Sequence, residues 1–280
     1  MNSKPTSLTV ILAGGSFLGK KAKMRRHGMV LAGLLLLPLW TSAAIIVDLA
    51  DIVGHGDGSG TGTKGYGYHP NTGAQTTGTT GSITGDNGYH LVNDTDLIDG
   101  VFIPDGGAGD VQITSTDIDV TLGDTDNRSW DYIKYGPNRQ SGSDLGGVDY
   151  NSGDHTMIGL HANKGITFDL DEIEKEAPWQ EAARFTAVAG CTHSNNSTNI
   201  YVFVDGAKEF EVLQASANVA YDVDIALPTS ARFLTLVATD RGNYSADQVL
   251  FGDPHVIPEP AGATLLLAGI SLLVLRRRRQ

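Results

Sequence analysis

Four aromatic residues are the chain's clearest means of gripping another molecule. Trp130, Tyr132 and Tyr135 alternate onto one face of an expected strand, and Trp179 follows the turn proline Pro178. Aromatic rings stack on the apolar faces of sugars, while an indole N–H or a phenol O–H adds hydrogen bonds at the rim. The same rings serve equally to fill a core or a strand edge. Two groups of oxygen donors come next. Asp117, Asp119, Asp124 and Asp126 recur within ten residues, and Asp240, Asn243 and Asp247 surround Gly242. Oxygen-rich loops suit Ca²⁺, which takes six to eight oxygen ligands, so a structural calcium is the cofactor these residues point to. His161 and Asn163 lie where a short strand enters a turn. Polar side chains in such places bond to neighbouring backbone.

Catalytic patterns find less support. No Gly-x-Ser-x-Gly elbow is complete, since Gly142-Ser-Asp-Leu-Gly146 carries Asp and Leu where one residue should stand. Gly60-Thr-Gly-Thr-Lys64 ends in Gly65 and lacks the Ser or Thr of a phosphate-binding loop. The eight histidines are scattered without ligand spacing, and Cys191 has no second cysteine to share zinc or a disulfide with. With 32 acids some carboxylate pair is inevitable, but Asp and Glu here alternate with apolar residues or sit in turns, as on a solvated strand face. The expectation is a protein that is not an enzyme.

The elements that position these residues are strands. Val111-Gln-Ile113, Ile118-Asp-Val-Thr-Leu122, Ile166-Thr-Phe-Asp-Leu170, Ile200-Tyr-Val-Phe-Val204, Tyr221-Asp-Val-Asp-Ile225 and Phe233-Leu-Thr-Leu-Val237 alternate or run short between Gly, Asp and Asn. Many short strands at near-regular spacing mean a sandwich or barrel. Asp205-Gly206 is a tight-hairpin signal. One short helix is expected, capped by Asp171 with Glu174 in the reciprocal position and stopped by Pro178. Between Gly54 and Gly165 lie 24 of the 35 glycines, and the densest run, His55 to Tyr68, reads as a loop or linker.

The stretches Met157-Ile-Gly-Leu-His-Ala-Asn-Lys-Gly-Ile-Thr-Phe-Asp-Leu170, Arg184-Phe-Thr-Ala-Val-Ala-Gly190, Ile200-Tyr-Val-Phe-Val-Asp-Gly206, Phe233-Leu-Thr-Leu-Val-Ala-Thr-Asp-Arg-Gly242 and Ala246-Asp-Gln-Val-Leu-Phe-Gly-Asp253 together resemble the NPCBM family of carbohydrate-binding modules. The resemblance implies an all-β jelly-roll β-sandwich of the galactose-binding-like kind over residues 97–257. It reaches the first half only through Val47-Asp-Leu-Ala-Asp51 and Ile98-Asp-Gly-Val-Phe-Ile-Pro104, with 44–96 as a Gly-rich entry segment. Where the family often places a tryptophan in its last strand, this chain has Leu250-Phe251. A fold does not by itself confer a sugar site.

Both ends read as addresses. Lys20, Lys21, Lys23, Arg25 and Arg26 precede an apolar stretch from Met29 to Trp40 and small residues at Thr41 to Ala44, the order of a secretory signal peptide over 1–43. At the other end Pro258-Glu259-Pro260 leads into an uncharged run and Arg276, Arg277, Arg278 and Arg279. The run, Ala261 to Leu275, is shorter than the roughly 20 residues of a comfortable transmembrane helix. This tail, 258–280, resembles the PEP-CTERM sorting signal, which implies an exosortase-type membrane enzyme as partner, transient residence in the inner membrane, and delivery to the cell surface or extracellular matrix. Six of the 20 Lys and Arg precede Ala44 and four close the tail, so ten remain against all 32 Asp and Glu, a net charge of −22 between the two addresses. Such a surface repels nucleic acid. The expected function is an exported, non-catalytic module that binds extracellular polysaccharide. A ligand-free structural matrix protein and a secreted glycan-active enzyme are the alternatives.

Overall fold

The computed structural model describes residues 46–104, 106–123, 125–138, 142–176, 182–193 and 198–258. Trp179, Asp124, the expected signal peptide, and Glu259, Pro260 and Arg276 to Arg279 of the sorting tail lie outside the described residues. In chain order the first half runs β1 (Val47–Asp48), α1 (Leu49–Val53), β2 (Tyr66–Tyr68), β3 (Gln75–Thr77), β4 (Ser82–Thr84), β5 (Tyr89–Leu91), β6 (Ile98–Phe102), β7 (Asp110–Gln112), β8 (Asp119–Thr121), β9 (Arg128–Trp130) and β10 (Ile133–Tyr135). The second half continues with β11 (Asp144–Leu145), β12 (Val148–Asp149), β13 (Met157–His161), β14 (Lys164–Asp169), α2 (Leu170–Glu176), β15 (Ala182–Cys191), β16 (Asn199–Val204), β17 (Ala207–Val212), β18 (Tyr221–Ala226), β19 (Phe233–Thr239) and β20 (Gln248–Pro258).

Two antiparallel sheets form the sandwich. The first has the order β18-β15-β20-β13-β10-β2-β3 with β1 also paired to β20, and the second has the order β17-β16-β19-β14-β6-β5. Strand alternation aims Leu234, Leu236 and Ala238 of β19 at Ile158, Leu160, Phe185 and Phe251 of the first sheet, all at or near zero exposure, in one core. The opposite face of the second sheet is also covered. Phe102, Tyr201, Phe203 and Val237 pack under Val111, Ile113, Val120 and Leu122 of the β7–β8 hairpin, and Thr167 donates its hydroxyl to the Ile113 carbonyl at 2.5 Å. Leu145 and Tyr150, beside the β11–β12 hairpin, cover Met157 and Leu250 of the first sheet in the same way. These hairpins explain why β13, β14 and β19 are buried along their whole length where one-sided strands would alternate.

The Gly-rich entry segment belongs to this architecture. β1, β2 and β5 are hydrogen-bonded to β20, β10 and β6 respectively. The run expected as a linker wraps around the buried Asp51, whose carboxylate accepts the N–H groups of Gly58 at 2.8 Å and Gly62 at 2.5 Å. A Cβ on Gly62 would sit 2.2 Å from the Asp51 carbonyl oxygen, so glycine is required by that close approach. Asp205 and Gly206 both have positive φ, at 47° and 80°, in the tight turn between β16 and β17. The helix α2 starts two residues earlier than expected: its Glu172 N–H is capped by Asp169, and Glu174 instead accepts the Ala182 N–H at 2.7 Å. Cys191 is buried and free. Among the described residues no helix is long and apolar enough to cross a membrane.

Candidate functional site

The aromatic triplet does not form one platform. Asp131 has a φ of 63°, which breaks the expected strand in two. β9 pairs with β4, whereas β10 joins β2 and β13 in the first sheet. Trp130 is half-buried at the end of β9, Tyr132 lies beside the His69 ring at 5.5 Å, and Tyr135 is buried in the core next to α1. Tyr135, five residues from Trp130, falls on the opposite face even of a regular strand, and the left-handed Asp131 also breaks the alternation between Trp130 and Tyr132. The bend is held from several sides. Asp131 N–H donates to the Gly81 carbonyl, its carboxylate accepts the Thr80 N–H at 2.9 Å, and the buried Lys134 ammonium pairs with it at 3.1 Å.

What the fold brings to Trp130 is a different set of residues. At one end of the first sheet a cavity of about 230 Å³ is lined by Trp130, His161, His193, Tyr244, Ser245, Ala246 and Gln248. The antiparallel register of β13 on β20 sets His161 directly across from Gln248. His161 Nδ1 lies 2.5 Å from its neighbour's carbonyl, Ala162 O, and burial together with the nearby Lys164 charge pushes its pKa down to about 3. The ring is therefore neutral with its proton on Nδ1, which leaves Nε2 as an acceptor. The Tyr244 ring meets that of His161 edge-on at 6.2 Å, lies 4.8 Å beneath the Arg128 guanidinium, and carries a hydroxyl 3.3 Å from Ser82 Oγ.

Two side chains of this lining each carry a polar atom that is buried without a hydrogen-bond partner among the described residues: the indole Nε1 of Trp130 and the amide Oε1 of Gln248. One is a donor and the other an acceptor, and a buried polar group left unmade costs about 1–3 kcal/mol. No carboxylate, lysine or arginine is among the described residues that line the cavity. The described lining thus holds no carboxylate pair of the kind that glycoside hydrolysis uses. The arrangement suits an uncharged ligand bearing both hydroxyl donors and acceptors.

A wider cleft of about 380 Å³ lies between the Gly-rich loop and α2, lined by Asp57, Asp94, Asp96, Glu172 and Glu176 together with His55 and Tyr68. Size alone does not make it the better candidate. Its Tyr68 hydroxyl donates to Asp94, Glu172 is paired with Lys175, and Asp57 is held below the usual carboxylate range by the hydroxyl and amide of Ser59.

Of the oxygen-rich residues the fold brings Asp126 and Asp240 together, while Asp117, Asp119 and Asp247 have other partners or surroundings. Asp117 and Asp119 are exposed on the β7–β8 hairpin, where Asp117 accepts a bond from Gln112. Asp126 is paired with Arg128 at 2.6 Å. Asp240 is buried, accepts the N–H groups of Asp126 and Gly242, and has its pKa raised by desolvation. Asp247 is buried and accepts the Thr198 hydroxyl at 3.0 Å. Among the described residues no three His, Cys, Asp or Glu side chains gather as a metal group. Asn163 donates to the carbonyls of Asp126 and Arg128 and accepts the Asp240 N–H, and its side chain also bonds the Asp240 carboxylate.

Of the cavity's residues, Trp130 was singled out by residue type and His161 by its motif. Gln248, His193, Tyr244 and Ser245 were not. Each lies near the start of β20 or the end of β15, and only the strand register shows that these ends meet. The single local signal was a glutamine at a strand start beside a run of small and polar residues.

Residues 119–257 match the family described as the NPCBM/NEW2 domain. No curated protein sequence matches the chain. Among solved structures it is similar to the CBM51 module of Clostridium perfringens GH95 in complex with methyl-galactose, at 21% identity over 45% of this chain and 88% of that one, with a TM-score of 0.34. It is also similar to the M60 catalytic domain with two CBM51 domains of Clostridium perfringens ZmpB, at 24% identity over 40% of this chain and 11% of that one, TM-score 0.32. The tandem CBM51 modules of the family 98 glycoside hydrolase of Streptococcus pneumoniae SP3-BS71 give 15% identity over 44% and 37%, TM-score 0.32.

Proposed function

We propose that this protein is an exported, non-catalytic carbohydrate-binding protein that holds one neutral sugar residue of an extracellular polysaccharide in the cavity between Trp130 and Gln248. The observation that supports this reading is the pair of atoms without partners among the described residues, an indole donor and an amide acceptor, on two side chains of a cavity whose described lining carries no carboxylate, lysine or arginine. A hydroxyl gives and accepts at once, so neighbouring hydroxyls of one hexose satisfy both atoms together with His161 Nε2. The NPCBM/NEW2 match over 119–257 supports the same class of ligand. The volume fits a single ring, and so small a cavity binds a chain end or a branch weakly, because little of a long polymer is enclosed. A panel of neutral methyl hexosides and free uronic acids, titrated against wild type and Gln248→Leu, is the test. Binding of a neutral member that Gln248→Leu abolishes is expected; uronic acids binding as well or better would sink the reading.

The delivery half of the proposal rests on the two ends of the sequence. The order of Pro258-Glu259-Pro260, apolar run and four arginines supports cleavage by an exosortase-type enzyme after transient anchoring in the inner membrane. β20 runs to Pro258, which pairs with Ala182, so the tripeptide begins where the last strand ends. The mass of the protein recovered from the cell surface decides it: loss of Arg276 to Gln280 is expected, and their retention contradicts it.

A further inference from the structure

Lys164 is a charged side chain at zero exposure in the middle of the fold. Its ammonium donates to three consecutive carbonyls, those of Trp130 at 2.9 Å, Asp131 at 2.9 Å and Tyr132 at 3.1 Å. These are the three peptide groups on either side of the left-handed Asp131, the residue that ends β9 and frees Trp130 from the plane of the first sheet. Three donors on one nitrogen meet three acceptors on one bend. Lysine is the side chain that offers that match.

We infer that Lys164 is a positioning residue for the cavity: by tying down the carbonyls of Trp130, Asp131 and Tyr132 it fixes the bend that sets the Trp130 indole beside His161 and Gln248. The inference rests on the carbohydrate reading for its ligand but not for its geometry. Lys164 touches no cavity surface itself, and its effect on a bound sugar passes through Trp130.

The groups that face this ammonium give the arrangement a pH response. Burial opposes the charge most strongly, Asp131 favours it and Lys134 adds to the opposition, and together they bring the Lys164 pKa down to about 7. His161 feels the same charge and is already neutral, and the His69 ring feels it more weakly. A neutral amine keeps only two N–H donors. On deprotonation one of the three carbonyls then faces a lone pair, and the bend loosens.

The test uses the full exported protein and two readouts. The Trp130 indole N–H resonance, assigned with Trp130→Phe, is followed from pH 6 to 9 without ligand, and affinity for a methyl hexoside is followed over the same range. His193 lines the cavity and is a histidine, so each series is repeated in His193→Gln. Expected is an indole shift with a midpoint near 7 that survives in His193→Gln, together with a several-fold fall in affinity above it. In Lys164→Met the indole step disappears and the hexoside binds several-fold more weakly than to wild type at pH 6. That loss is not additive with the loss from Trp130→Phe, because both act through one ring. An indole resonance that is flat in wild type, or whose step vanishes in His193→Gln, overturns the inference even if Lys164→Met fails to fold. If no hexoside binds, the carbohydrate reading fails, and the indole titration still decides the role of Lys164.

Discussion

Replacing Trp130 with Phe separates a ligand-facing indole from a structural one, because the two predict opposite signs. Phenylalanine keeps an aromatic face in the half-buried position at the end of β9 and deletes only the N–H that has no partner. If that N–H is reserved for a sugar hydroxyl, its loss removes one neutral hydrogen bond from the complex, worth about 0.5–1.5 kcal/mol, or about 2- to 13-fold in Kd. In the free protein the same deletion removes a buried donor whose unmet desolvation costs about 1–3 kcal/mol, against about 1 kcal/mol lost in packing a smaller ring. Tm should therefore hold or rise by a few degrees, at about 2–4 °C per kcal/mol for a domain of this size. Isothermal titration with a neutral hexoside and a thermal melt on the same preparation measure both. A lower Tm with unchanged Kd would refute the reasoning, since it would mean that the indole N–H bonds within the protein and contributes nothing to the ligand.

Further outcomes follow from other parts of the fold. Gly165→Ala would place a Cβ 2.0 Å from the Phe102 ring, buried in the second sheet's outer cluster, and should cost roughly 1–3 kcal/mol in denaturant unfolding. His161 stays neutral in the folded protein down to about pH 3, whereas an unfolded histidine takes a proton below about 6.5. Stability should then fall as pH drops from 6.5 towards 3, by about 1.4 kcal/mol per unit from this group, and His161→Gln should flatten that slope in melts. Calcium and magnesium compared at matched ionic strength test the calcium expectation: a larger rise of Tm with calcium supports it, and equal rises leave only screening of the acidic surface. A calcium excess in that comparison would place a binding loop around Asp126 and Asp240.

The sandwich was legible because burial on one or both faces of a strand leaves a period-two or continuous apolar pattern, as in Ile200 to Val204 and Phe233 to Val237. The hairpin at Asp205-Gly206 was legible for the same local reason. The role of the Gly-rich run was not, because it depends on Asp51, several residues away, folding the loop around one carboxylate. The aromatic platform misled for two further reasons: Tyr135 is an odd number of residues from Trp130 and Tyr132, and strand alternation between those two assumes a uniform backbone, which Lys164 and Thr80, distant in sequence, bend at Asp131. The cavity is assembled by pairing, with His161 opposite Gln248 and Cys191 opposite Val249. A site made of strand ends carries its information in register, which residue spacing along one chain does not display.

The central claim is that the cavity between Trp130 and Gln248 holds a neutral sugar, and side-chain NMR during a hexoside titration tests it most directly. The account predicts that the Trp130 indole N–H and the Gln248 side-chain amide shift together and saturate with one Kd for a neutral hexoside, and stay still for a uronic acid. Shifts gathered instead around Asp94 and Glu172 in the acidic cleft, or no response at Trp130 and Gln248 to any neutral hexoside, would contradict it.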